Sequence, residues 1–529
     1  VPQAVTAQAS AGGGSAAGGL IGGLIGGRRG FLLLLAAYAA LQFALRVAVS
    51  PSLGRDDLIE AIIAQGWSLG YNPTQPPLYT WLVVAASDAL GHGVAAHALV
   101  KFASLYLAYV FFFLAAERAL GDSYLAALAT LSWLATYMFG WDVTQNYTES
   151  VLLLTMASAL MWLVLKMRDG AGFADYLALG AVLGLGALTK YNFPVIAATL
   201  TAVGFIDPRL RRAMLDKRIL AAAAVALLLF LPHWLWMKYG PHNMRGAFTG
   251  ALQVGWKGGY WPGVAAGLVS IARSSFDFLA PGVVLWALLF WRALKPGVPA
   301  PAEERATRAL FDRWLLFGYA VMAGFVLFAG ATTIKYHYMI MALTPAPVWL
   351  FLRVKHAGLA VGPGAWRGRA FLAVVALAAA GTVGAAAWRG FAVTDRCGRC
   401  YLQWDYAAVA DKLRAAGFAQ GTIVADDHHV GGNLRTHFAQ SPMYTLRYPD
   451  FVPRNRRVGG NGQCLVIWDA VEDGPSLPDD IADFAKIRLG VRADDAHVAG
   501  VIEQHFRRSA RRSIKLGYVL FPRGSGQCR

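Results

Sequence analysis

Charge is what this sequence has least of. Asp, Glu, Lys and Arg make up 15% of its 529 residues, against roughly a quarter in an ordinary soluble domain. That deficit excludes a string of water-soluble domains, which the length alone would permit. Acidic residues are the scarcer sign, 31 against 48 basic, for a net charge of +17. A nucleic-acid partner would need that excess on a basic, partly aromatic soluble face. Instead it sits beside apolar runs: Arg28 and Arg29, Lys166 and Arg168, the 209–218 stretch, and Arg353 and Lys355. Basic clusters flanking spans mark the cytoplasmic loops of membrane proteins, so membrane lipid and no nucleic acid is the expected surrounding. Cysteine is nearly absent as well. All four (Cys397, Cys400, Cys464, Cys528) lie in the last quarter of the chain. Walker loops, glycine-rich dinucleotide fingerprints and metalloprotease helices are missing altogether.

Long apolar runs are what the chain has instead. Residues 31–50 and 219–237 contain no Asp or Glu, and each is long enough to cross about 30 Å of hydrocarbon. Further spans are expected near 95–116, 123–139, 150–166, 174–189, 191–206, 272–293, 313–332, 338–353 and 370–389. The first 27 residues, rich in Gly, Ala and Ser, read as a flexible cytoplasmic tail. Eleven crossings of a bacterial inner membrane would then put every strongly basic loop inside and the C-terminus in the periplasm. The expected organisation is a mainly α-helical polytopic domain over 28–389, with a first external loop at 51–94, and a soluble α/β domain over 390–529. That last region carries strand-like runs such as 421–425 and 464–468, with helical stretches such as 406–416 between them.

An even cysteine set confined to an external domain fits disulfides, with three pairings open. The Cys397-Gly-Arg-Cys400 spacing also permits redox or zinc readings, but the motif follows a span rather than a strand of a βαβ unit. Asp426-Asp427-His428-His429 suggests a metal site at first sight. Adjacent residues point in alternating directions, so a strand end and polar loop is the better reading.

The most informative segment is Arg55-Asp56-Asp57-Leu58-Ile59-Glu60, continuing through Gln65 and Tyr71 to Gln75-Pro76-Pro77-Leu78-Tyr79-Thr80-Trp81. Two adjacent carboxylates follow directly on a membrane exit. They could be a solvated helix N-terminus, where acids suit the dipole, or a site, since carboxylates near a bilayer are costly. The whole pattern resembles the first external loop of the GT-C glycosyltransferase superfamily, in its protein O-mannosyltransferase and lipid A aminoarabinose transferase branch. That branch has an acidic pair after the first span, here Asp56 and Asp57, then a Pro-Pro-Leu and an aromatic-rich helix, here Pro76-Pro77-Leu78-Tyr79-Thr80-Trp81. The likeness in layout extends over 31–355, including Leu188-Thr189-Lys190-Tyr191 and Pro232-His233-Trp234.

The resemblance implies an inverting enzyme that moves a sugar from a polyprenyl-phosphate donor to an envelope lipid, glycan or protein outside the cytoplasm. Asp56 would be the general base on the acceptor hydroxyl, Asp57 would orient the acceptor or a nearby cation, and Glu149 would be a supporting acid. Gln75, Pro76, Pro77 and Tyr79 would frame the loop. The sequence departs from the aminoarabinose branch at two cations: Gln75 stands where that branch has Lys, and Ile59 where it has Arg. Candidates to replace them at the donor phosphate are Lys101, Lys190, Arg245, Lys257, Lys335 and His337. For Lys101 and Lys190 the alternative is snorkelling, for Arg245 and Lys257 simple solvation, and for His337 an interfacial hydrogen bond. No cofactor is required; a divalent cation on Asp56, Asp57 and Glu149 is the alternative way to supply positive charge. A transporter or flippase of a lipid-linked sugar is the rival class. It would more often show internal repeats with broken helices in matching places, and the sequence shows none.

Overall fold

The structure is a computed structural model that describes residues 24–240, 258–295, 301–391, 401–453, 462–526 and 528. Its helical part runs through α1 (Arg28–Val49), α2 (Asp56–Ile63), α3 (Leu78–Leu90), α4 (Val94–Leu120), α5 (Ser123–Leu131), α6 (Glu149–Asp169), α7 (Phe173–Ala187), α8 (Phe193–Ile206), α9 (Pro208–Met214), α10 (Ile219–Tyr239), α11 (Tyr260–Leu279), α12 (Gly282–Phe290), α13 (Ala302–Ala329), α14 (Ala346–His356) and α15 (Trp366–Phe391), with single helical turns between some of them.

Among the described residues six helices are long and apolar enough to cross a bilayer: α1, α4, α6, α10, α13 and α15, or seven if α8 and α9, bent by 115°, are one span. The other five expected crossings fall on shorter or broken helices, and the breaks have local causes. Pro281 separates α11 from α12, and Pro345 starts α14 afresh after a single turn. Proline lacks the amide that a continuing helix needs. α5 gives way to a 3-10 turn at Ser132–Ala135. α7, at 15 residues, spans only about 22 Å.

Helices α4 and α6 pack along their lengths and supply much of the buried apolar core. The α7–α10 contact is a glycine seam: a Cβ at Gly180 would lie 2.4 Å from the Ala222 carbonyl oxygen, and one at Gly184 2.9 Å from Leu229 Cβ. Small residues four apart let two membrane helices approach closely, which is where packing energy comes from in lipid. The basic clusters gather at one end of the bundle. There Arg118 pairs with Asp169, Lys166 with Asp175 at 2.6 Å, Arg209 with Glu303 at 2.9 Å and Lys355 with Glu304 at 2.8 Å. Arg168 and Asp207 form a buried pair at 3.1 Å in the same layer.

Beyond residue 400 lies a five-stranded sheet, β1 (Gly421–Ala425), β2 (Met443–Thr445), β3 (Gln463–Asp469), β4 (Val498–His505) and β5 (Ser513–Phe521), in the order β2-β1-β3-β5-β4. β1 is parallel to β2 and β3, while β5 is antiparallel to β3 and β4. β1 is buried throughout, as a strand covered on both faces should be. Helices α16 (Tyr406–Ala415), α17 (His428–His437) and α18 (Asp479–Leu489) complete the unit. Cys464 of β3 is disulfide-bonded to Cys528; Cys397 and Cys400 lie outside the described residues. The Asp426–His429 run is a strand end followed by a helix cap. Asp427 accepts from the amides of His429 and Val430 at 2.6 and 3.0 Å, starting α17.

This unit is docked onto the first external loop. A Cβ at Gly432 of α17 would be 2.7 Å from the Leu58 carbonyl oxygen of α2, and one at Gly431 would be 2.9 Å from Ile62 Cδ1. The side-chain amide of Gln65 pairs with the backbone of Met443, donating to its carbonyl and accepting from its N–H, both at 2.8 Å. Asn433 Oδ1 accepts from Leu53 N at 2.8 Å.

Candidate active site

The site lies at the bundle end opposite the basic clusters, where α1 gives way to α2. Arg46, in the last turn of α1, donates to the carbonyls of Ser50 and Ser52 at 3.1 and 2.8 Å. It thereby satisfies acceptors that a helix C-terminus leaves open. Arg55 then adopts φ +49° and α2 begins at Asp56. The Asp56 carboxylate accepts from Tyr147 N at 2.8 Å, and Tyr147 itself has φ +59°. Arg55 and Tyr147 are the only non-glycine residues with positive φ among the described residues. Such conformations cost of order 1–3 kcal/mol each and cluster at functional sites. Here the Asp56 hydrogen bond ties the two positions together.

Asp57 points the other way. It meets Lys101 of α4 at 2.9 Å, with the two residues 5% and 2% exposed. Burial alone would raise the Asp57 carboxyl, but Lys101, with His97 and Arg46 behind it, holds it below the usual carboxylate range. Lys101, expected at the donor phosphate, is therefore engaged by the carboxylate next to Asp56.

Three further acids converge here. Glu60, one turn along α2 from Asp56, is buried and accepts from the Thr80 hydroxyl at 3.0 Å. Burial first, and then the charge of Glu149, pushes Glu60 well above the usual carboxylate range. Glu149 opens α6, buried, with the Thr148 hydroxyl donating to it at 2.8 Å. Asp142 accepts from Asn146 Nδ2 at 2.5 Å and from the Tyr336 hydroxyl, which in turn accepts from the Tyr147 hydroxyl at 2.5 Å. The Tyr79 hydroxyl is buried within electrostatic reach of Asp56, Asp57, Glu60 and Glu149.

The positive side consists of Lys190 and Lys335, with His337 beside them. Lys190 donates to Ser150 Oγ at 2.8 Å and is within electrostatic reach of Glu149, Asp56 and Lys335. Lys335 is exposed and has no ion pair among the described residues. The His337 ring lies tilted against that of Tyr147, 5.2 Å between centroids, close to both lysines. Arg245 and Lys257 lie outside the described residues. No three His, Cys, Asp or Glu side chains among the described residues are arranged to hold a metal ion.

The loop is held by the residues around Pro76-Pro77. Asn72 Oδ1 accepts from Thr74 N at 2.9 Å, making a tight turn that Gln75 N closes on Asn72 O at 3.2 Å. Pro76 and Pro77 are buried, and Pro77 caps α3. On the far side His233 contacts the Leu69 carbonyl at 2.9 Å and Tyr191 at 3.1 Å, and the Trp236 ring covers Gly70. Five residues of the site were given no role from sequence: Glu60, Thr80, Asp142, Tyr147 and Tyr336. Asp142 carried the signal that drew attention to Asp56, an acid beside a span on the same side. Tyr147 acts through its backbone, which sequence does not mark.

Known proteins share both the sequence and the architecture. A family model described as dolichyl-phosphate-mannose-protein mannosyltransferase matches residues 74–236. The chain is 31% identical to the lipopolysaccharide core galacturonosyltransferase RgtB of Rhizobium johnstonii, over 88% of this chain and 93% of that one. It is 29% identical to RgtA of the same organism, over 82% and 86%. The crystal structure of ArnT from Cupriavidus metallidurans bound to undecaprenyl phosphate superposes with a TM-score of 0.57 at 16% identity, covering 93% of this chain and 98% of that one. Its apo form superposes at 0.54 and 15% identity, over 96% and 98%; at such identities the likeness is one of fold. The chain is a multi-pass membrane glycosyltransferase of the GT-C superfamily, and belongs to the family of the lipopolysaccharide core galacturonosyltransferases.

Proposed function

We propose that this enzyme transfers a hexuronic acid of the galacturonate class from a polyprenyl-phosphate donor to a hydroxyl of a lipopolysaccharide core glycan, inverting the anomeric centre. The reading carries the helical domain (28–389) as the catalytic part of a bacterial inner-membrane protein, with its N-terminus cytoplasmic and residues 390–529 periplasmic. The observation that carries it is the placement of Asp56. A partly exposed carboxylate, at the membrane-exit end of the bundle, is fixed by the backbone N–H of the strained Tyr147. Lys190 lies within electrostatic reach of it, with Lys335 close to Lys190.

Asp56 takes the proton from the acceptor hydroxyl as that oxygen attacks the anomeric carbon, and the C–O bond to the polyprenyl phosphate breaks on the opposite face. General-base help of this kind contributes about 10²–10⁴-fold. Negative charge grows on the leaving phosphate oxygen, where a preoriented cation stabilises it most. A uronosyl donor carries two anions, the phosphodiester and the sugar carboxylate, and Lys190 and Lys335 supply two cations. The galacturonosyltransferases of the lipopolysaccharide core among its relatives support the sugar and the acceptor. The undecaprenyl phosphate bound to the similarly folded ArnT supports the carrier lipid.

The test is release of polyprenyl phosphate by purified enzyme from a panel of polyprenyl-phosphate sugars, with core lipopolysaccharide as acceptor. Wild type should consume the galacturonosyl donor, and Asp56→Asn should be slower by about 10²–10⁴. Equal consumption by both proteins would remove Asp56 as the base, and preference for a neutral sugar would remove the uronate.

A further inference from the structure

A second cavity, of about 410 Å³, lies away from Asp56 at the other end of α2. Its walls come from both parts of the molecule. Gln65, Gly66 and Trp67 follow α2, Asp88 and His92 lie at and beyond the end of α3, and Arg435 and Gln440 come from α17 and the turn after it. Gln65 stands nine positions after Asp56, which is roughly 13 Å at a helical rise. A short oligosaccharide spans that distance.

Arg435 is the anomaly in this cavity. It is only 3% exposed, yet it has no carboxylate partner among the described residues. Among the described residues its Nε has no hydrogen-bond partner, and its one hydrogen bond is a marginal 3.5 Å from Nη1 to the Phe438 carbonyl. A guanidinium offers five donors, and burying it without compensation is costly. Burial accordingly pushes Arg435 down to about 10, which still leaves it charged at neutral pH. Burial likewise lowers His92, with the charge of Arg435 adding to it. The surrounding groups suit an anion with hydroxyls: the exposed amide side chain of Gln440 lines the wall, and Gln65 closes it from below with its own amide bonded to Met443. The rim is Trp67, 56% exposed, its indole N–H held by Asp88 at 3.3 Å. An exposed indole face beside a cationic pocket is a surface on which the apolar face of a sugar ring can pack.

We propose that this cavity is an oxyanion-binding subsite, centred on Arg435, that takes a carboxylate or phosphate substituent of the acceptor glycan while the hydroxyl to be glycosylated lies at Asp56. The acceptor as its source rests on the function proposed above; the oxyanion site does not. The subsite exists only where α17 meets the first external loop, so docking of the α/β unit completes it.

The first experiment needs no turnover. Full-length protein in detergent is melted with inorganic phosphate, with free galacturonate, and with neutral galactose. Phosphate and galacturonate should raise the Tm of wild type and galactose should not, since a ligand stabilises the state that binds it. Arg435→Met should lose this response, and without ligand it should melt no lower than wild type, because it removes an uncompensated buried charge. Gln440→Glu guards against a folding defect: the residue is exposed, and the new carboxylate would occupy the guanidinium and abolish the response. Equal stabilisation by galactose, or an anion response retained in both variants, would overturn the site.

Transfer assays then identify the source. With the native acceptor Gln440→Glu should raise the acceptor KM by about tenfold or more, the worth of one charged hydrogen bond. The kcat and donor KM should stay unchanged, and an acceptor stripped of its anionic substituents should show no difference. An unchanged acceptor KM alongside lost phosphate binding would overturn the acceptor assignment. A protein that binds phosphate here but transfers no sugar would refute the proposed function and not the subsite.

Discussion

Asp56 and Asp57 are neighbours in sequence and opposites in the fold. Successive helical residues are rotated by about 100°, so one carboxylate reaches the Tyr147 amide and the other Lys101 among the packed helices. Position alone left the pair open between a capped helix start and a site; the resemblance of the whole loop to GT-C enzymes made it a candidate. Their division of labour was not legible, since it depends on which face of α2 meets α4. Lys101 shows the same limit: a lysine beside an apolar span reads equally as a phosphate ligand, a snorkelling side chain or half of a buried pair. The 2.9 Å contact with Asp57 leads to a definite expectation. Asp57→Asn and Lys101→Met should each destabilise the detergent-solubilised protein strongly, by about 3–5 kcal/mol, because each leaves a buried charge alone. The double variant should recover much of that loss. A double-mutant cycle on thermal or denaturant midpoints measures it, and strictly additive losses would show the two side chains to be energetically independent.

Helix α2 is too short, at eight residues, to be stable by itself. It is held from below by α4 and from above by α17, and the upper contact depends on Gly432. Any side chain there meets the Leu58 carbonyl, at 2.7 Å from the first carbon, and backbone cannot step aside as a flexible side chain can. Gly432→Leu should therefore lift α17 off α2 and shift Asp56. A displacement near 1 Å at a reacting group can cost about 10²-fold in rate. The kcat of Gly432→Leu should fall on that scale while circular dichroism keeps its helical signal; wild-type kcat would mean that α17 does not position α2. At this scale the sequence was informative for long elements and poor for broken ones. Uninterrupted apolar runs gave α1, α4, α6, α10 and α15 to within a few residues, while α13 begins at Ala302, well before the expected start at 313, because its first turns are charged. Runs interrupted by Pro281 or Pro345 read as single spans because their hydropathy continues across a break in the hydrogen-bond ladder. The docking of α17 left no trace in the sequence beyond two adjacent glycines, whose purpose becomes clear only once their partner is known.

Taken whole, the molecule joins a bundle stabilised by packing in lipid to a small α/β unit that must be stable in water. The two should therefore lose structure separately. The α/β unit has a modest core, and the Cys464–Cys528 bridge closes a separation of 64 residues around it. Removing a cross-link over a loop of that length costs about 4 kcal/mol in the chain-entropy picture. Sequence placed all four cysteines in this unit without saying which would pair, because spacing along the chain does not reveal that β3 lies beside the C-terminal end. Calorimetry on Cys528→Ser should show a lower first transition and an unmoved second one, belonging to the helices. Because Gln65 and Gly432 tie the α/β unit to α2, glycosyl transfer should disappear with the first transition, at temperatures where the membrane helices remain folded. Activity that persisted up to the second transition would mean that the bundle holds Asp56 in place unaided, and that the docked unit contributes to acceptor binding alone.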